Sequence, residues 1–196
     1  MSCIAAATLA SSGLLAQEIG GPFGLRRGFT QEQVIQIVGK SAVKETKDDT
    51  LRLRTVPKPH SGFEFYSLIF SPKEGLLKII AYGNDITTNG FGEAVQGDFS
   101  EIRSAIAQTY GKPEADMDFL RAGSIWKEPE DWMMGLLKDE RTLVAVWEKA
   151  LPNRIHDVVL KAGALSREKG FLKLTYEFDG WNEYVDALRK KAGTVF

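Results

Sequence analysis

The chain has 196 residues, with 25 Lys and Arg against 26 Asp and Glu and a formal net charge of −1. That balance excludes the basic excess of a dedicated nucleic-acid binder, so no nucleic-acid partner is expected. A hydrophobic fraction of 43% with 10% aromatic residues excludes a disordered chain, and the single cysteine, Cys3, excludes a disulfide framework or a cysteine-built zinc site.

The first seventeen residues, MSCIAAATLASSGLLAQ, carry no charged side chain. Residues 4–16 are apolar or small, too short a run for a bilayer span, which needs about 20 apolar residues. They suit the core of an export signal with cleavage after Ala16, which predicts a periplasmic or secreted protein with no transmembrane helix in its mature chain. The alternative is a buried N-terminal helix.

Residues 28–40, GFTQEQVIQIVGK, form a short punctuated helix. Thr30 is a good N-cap and Gln33, three residues on, completes a capping box. Val34, Ile35, Ile37 and Val38 fall on one face, and Gly39 ends the helix. Leu51 and Leu53 then alternate with Arg52 and Arg54, as in a half-exposed strand. Residues 57–62 are a loop. FEFYSLIF (63–70) and LLKIIAYG (76–83) are strands joined by SPKEG in a hairpin. Residues 84–97 are polar and Gly-rich, a long connection.

A second capped helix is expected from Asp98, with Glu101 three residues on and Phe99, Ile102, Ala105, Ile106 and Tyr110 as its apolar stripe. Residues 128–140 predict a helix with Pro129 in its first turn and Trp132, Met133, Leu136 and Leu137 inward. Residues 141–149, 153–163 and 171–178 read as strands. In the last, Leu172, Leu174, Tyr176 and Phe178 share one face and Lys173, Thr175 and Glu177 the wet one. A final helix at 181–193 carries Trp181, Tyr184, Val185 and Leu188 in a stripe, with Lys190 and Lys191 at its C-terminal end.

The order helix, Gly-Lys, strands thus occurs twice. The expected fold is α+β: a signal at 1–16, then two helix-on-antiparallel-sheet units at 20–95 and 98–196, separate or fused into one continuous sheet, with a C-terminal helix.

Gly28-Phe29-Thr30 with Glu32, Val34 and Val38-Gly39-Lys40 resembles the G-M-T-x-x-x-V…G-x-P signature of the SmpA/OmlA (BamE-like) outer-membrane assembly lipoproteins. It is also similar to the β-lactamase inhibitory proteins, which carry two such units in tandem. The resemblance covers about a dozen residues. It implies an exported helix-on-sheet protein of the bacterial envelope that works by binding proteins.

Catalytic motifs are absent from the sequence: there is no H-E-x-x-H, G-x-S-x-G, Walker A or G-x-G-x-x-G pattern. No cofactor and no metal is expected. His60 and His156 stand alone, the first in a loop and the second mid-strand. Asn84, Asp85, Asn89 and Gly90 either wrap an anion or a calcium ion or form a plain turn. Glu114, Asp116 and Asp118 are either paired acid–base carboxylates or solvated loop residues. Arg52, Arg54 and Lys58 either dock an anion or acidic partner or are the wet side of the sheet. Trp126 and Trp132, in SIWKEPEDWMM, are interface candidates or core. The leading expectation is a non-enzymatic protein that binds another protein or an envelope component. The rivals are a hydrolase in which His60, Asp85 and Glu114 converge, and a small-ligand binder with a closed apolar cavity of about 300 Å³ or more.

Overall fold

The computed structural model describes residues 20–193, so the expected export signal lies outside the described residues. Nine antiparallel strands form one continuous sheet. They are β1 (Val43–Lys47), β2 (Thr50–Leu53), β3 (Phe63–Ser71), β4 (Gly75–Gly83), β5 (Ile86–Thr87), β6 (Ala115–Leu120), β7 (Arg141–Trp147), β8 (Ile155–Ser166) and β9 (Lys169–Phe178). The spatial order is β1-β2-β3-β4-β9-β8-β7-β6, with β5 paired to β9. The helices are α1 (Gln31–Val38), α2 (Glu93–Tyr110), α3 (Trp132–Leu137) and α4 (Trp181–Gly193). The fold is α+β, two helix-on-sheet layers sharing one sheet, and the halves join where β4 pairs with β9.

Period-two alternation builds that sheet. Leu51 and Leu53, Tyr66 and Leu68, Ile79 and Ala81, Leu172 and Leu174, and Val158 and Leu160 all point to one face and are buried. Val34 from α1, Phe99 and Ile106 from α2, and Met133 and Leu136 from α3 join them in a single core. Burying a side chain of this size contributes about 1.5–3 kcal/mol, which is how an eight-residue helix, marginal alone, persists. Phe23 closes the near end, with its ring edge-on to Phe63, Tyr66 and Tyr176.

Several expectations need correction. The capping box of α1 forms as read: Gln33 N donates to Thr30 Oγ1, and Thr30 N to Gln33 Oε1. Ile37, however, is 42% exposed, because only Val34 of the expected stripe is fully buried on so short a helix. Asp98 caps nothing. α2 begins at Glu93, so the boundary expected between 95 and 98 falls inside a helix. Its N-cap is Gly92, whose φ of 73° and closeness to the Trp132 ring leave no room for a Cβ. The expected connection 84–97 includes β5 and the start of α2. Asp116 and Asp118 are not in a loop: β6 carries both as an edge strand, and only Glu114 lies just before it. The helix expected over 128–140 is a 3-10 turn (Pro129–Asp131) followed by the six residues of α3.

The Thr30 cap is local and unassisted, so Thr30→Ala is expected to lower stability by about 1 kcal/mol. Urea unfolding checks this as a lowered midpoint with an unchanged slope.

Candidate functional site

Cross-strand partners share a face, so the register maps the side of the sheet away from α1, α2 and α3. One row across it reads Met117, Val144, Lys161, Lys173, Tyr82, Phe65. The next reads Ala115, Val146, Val159, Thr175, Ile80, Ser67, Arg52. A third holds Asp157, Glu177, Lys78 and Ile69. This second face is therefore not simply wet. Thr175 and Ser67 are buried among larger neighbours, and Phe65 stacks on Tyr82 at 4.5 Å with Lys44 over its ring.

α4 lies over the β1–β4 part of this face. Trp181 sits against Lys78, with Nζ 4.4 Å from the ring, and Tyr184 Oη donates to Asp49 Oδ2 at 2.7 Å. Burial, and then the bond to Asp49, push the Tyr184 phenol up to about 12. A groove of about 460 Å³ separates α4 from the strands, lined by Glu45, Asp48, Asp49 and Arg52 among others. It is charged and open, not the closed apolar cavity a small-ligand binder would need. Among the described residues no helix covers the face over β6–β9. There Met117 and Phe119 are 47% and 58% exposed, next to half-buried Val146, Val159 and Phe171.

The third row carries an acid under tension. Asp157 stands directly opposite Glu177, which is bonded to Lys78 at 2.5 Å. Asp157 Oδ1 is buried without a partner, and Oδ2 lies 3.4 Å from His156 Nδ1. Burial, then the Glu177 charge, raise the Asp157 carboxyl above its ordinary value, against smaller opposing effects of His156 and Lys78.

The residues singled out from sequence do not converge. Glu114 Oε2 accepts from Glu148 N, Asp85 pairs with Lys169, and His60 Nδ1 accepts from Gly62 N. No hydrogen bond or ion pair links His60, Asp85 and Glu114 to one another among the described residues, so the arrangement required of a hydrolase does not form. Asn84 donates to Ser61 O, and the Asn89 side chain holds Glu93 at the start of α2, so Asn84, Asp85 and Asn89 brace separate backbone segments rather than a shared cradle. Asp116 pairs with Arg103. Asp118 accepts from Arg141 and from Trp132 Nε1. Trp132, at 6% exposure, is core and unavailable as a surface anchor. Trp126 is half-buried in the loop after β6, beside Ile125 at 74% exposure. Arg52 bonds Glu45, while Arg54 is exposed just beyond the end of β2. The sequence places Lys173 on the wet face of its strand but marks neither it nor Lys161 as a site residue. Each was visible as a charge alternating with apolar neighbours, but nothing local says that they meet.

No protein-family model matches the chain, and comparison with curated proteins and with solved structures likewise finds no match. Among the described residues no helix is long and apolar enough to cross a membrane.

A carboxyl whose value is raised by folding favours the native state below the ordinary carboxylate range. That contribution is lost as pH rises through the raised value. Asp157→Asn is therefore expected to stabilise the protein at pH 7. The gain should vanish near pH 3, where the native carboxyl is itself neutral; urea titrations at both pH values measure the difference.

Proposed function

We propose that this chain is an exported, non-enzymatic binding protein whose partner protein docks on the uncovered sheet face over β6–β9. The observation that carries this reading is the pair Met117 and Phe119, exposed on the edge strand and continuous with Val144, Val146 and Val159. Interfaces bury apolar strips of this kind, and Met and Phe are enriched in them. The strip is flat, hydrogen-bonded backbone on every strand but the outer side of β6, so its side chains are held in place before a partner arrives. Two further features support the reading. The two-unit layout agrees with the resemblance to envelope domains that bind proteins, and the charge-free N-terminal stretch agrees with export.

A photo-crosslinking amino acid at Met117 is expected to trap one defined protein partner in the cells of origin. The same group at Gln108, exposed on α2 away from this face, should trap none. The double variant Met117→Ser, Phe119→Ser should fold normally yet weaken partner binding by at least tenfold, since each truncated anchor costs about 1 kcal/mol or more. Equal trapping from both positions removes the assignment of this face. The compartment has its own check: the mature chain recovered from cells is expected to start at Gln17, and an intact Met1 in a cytosolic fraction overturns export.

A further inference from the structure

β7 and β8 pair from Trp147↔Val158 only as far as Val144↔Lys161. Beyond that point Arg141, Thr142 and Leu143 stay with β6, while β8 runs on to Ser166 beside β9 alone. The two strands part, and an opening of about 250 Å³ lies between them. Leu137 and Phe171 form apolar parts of its wall. The Phe171 ring lies close over the β8 backbone because Gly163 opposite it has no Cβ; one built there would sit 2.5 Å from the ring.

The charges around this opening are unbalanced. Lys161 and Lys173 face each other directly across β8 and β9, a like-charge pair that costs stability in a sheet. Neither makes an ion pair with any acid among the described residues, although ten of the eleven ion pairs there engage a Lys or an Arg. Arg141 lines the same opening. One terminal nitrogen is bound to Asp118 at 2.6 Å, and Nε is buried with no acceptor. Asp139 is the single acid on the lining, and it forms no ion pair. Three cationic residues thus line a mainly polar opening, with Leu137 and Phe171 as its apolar margin, at the edge of the docking face.

We infer that this opening receives a carboxylate: an Asp or Glu side chain of the docked partner, flanked by apolar side chains that meet Phe171 and Leu137. The inference rests on the docking face proposed above and names what the partner must present to it. A carboxylate between Lys161 and Lys173 cancels their repulsion, so the cost built into the free protein is recovered in the complex. A phosphate fits less well, since the lysines are separate point charges and the guanidinium fork is already half engaged by Asp118.

The test uses amide NMR spectra of the mature protein with two blocked pentapeptides, one alternating leucine with glutamate and the other leucine with glutamine. Sodium acetate and inorganic phosphate serve as ion controls. The glutamate peptide is expected to move the amides of Arg141, Lys161, Gly163, Phe171 and Lys173, and to bind at least tenfold more tightly than the glutamine peptide. The double variant Lys161→Gln, Lys173→Gln should abolish that preference, and its melting temperature should not fall, since the substitution removes a repulsion. Equal affinity for the two peptides with shifts at Met117 and Phe119 overturns the carboxylate and leaves the docking face standing. Equal shifts from acetate or phosphate at the same concentration, retained preference in the double variant, or no shifts around the opening also overturn it; the crosslinking at Met117 judges the face independently.

Discussion

The pairing of β4 with β9 is the constraint on which the rest of the molecule depends. Ile79 opposite Tyr176 and Ala81 opposite Leu174 bring together residues about a hundred positions apart. Without that seam there would be two small sheets, each with an unpaired central edge and only part of the apolar surface it needs. With it, the helix-facing residues of both halves merge into one core running from Val34 on α1 to Leu136 on α3. The same seam builds the opposite face. It sets Lys173 beside Tyr82 and Glu177 beside Lys78, so the rows that cross the molecule exist only because the halves are in register.

That second face shows how a sheet divides its labour. Over β1–β4 it is shielded by α4, a helix with no fully buried residue, resting on Trp181 and Tyr184. Over β6–β9 no helix among the described residues covers it. Two like-charge confrontations lie on this face: Lys161 opposite Lys173 and Asp157 opposite Glu177. On the helix side the comparable group among the described residues is Arg141, whose Nε is buried without an acceptor. Local rules are broken where a protein meets something else, and strain there is more informative than strain elsewhere.

Much of the fold was legible because its signals are local. The strand alternation at Leu51 to Arg54 and at Leu172 to Phe178, and the Thr30–Gln33 box, need no distant partner. β6 was illegible for the opposite reason. Asp116 and Asp118 make ADMDFL look like a solvated loop until Arg103 and Arg141 arrive from α2 and β7 to neutralise them. Asp98 imitated a cap because Glu101 follows at the right spacing, while the true start, Gly92, is fixed by the ring of Trp132 from forty residues away. Ile37 fits the helical period, yet α1 is too short to bury a second full turn. Of the site, the individual lysines could be read in the sequence; their confrontation is a property of register.

The strand order has a consequence for biogenesis. β9 sits in the middle of the sheet, touching β4, β5 and β8, yet it is the last strand among the described residues. During synthesis the first four strands emerge with one flank open and must wait for β9, about a hundred residues downstream, before the layer can close. Until then the sheet stays open along that flank, and closing it waits on a pairing of long sequence separation.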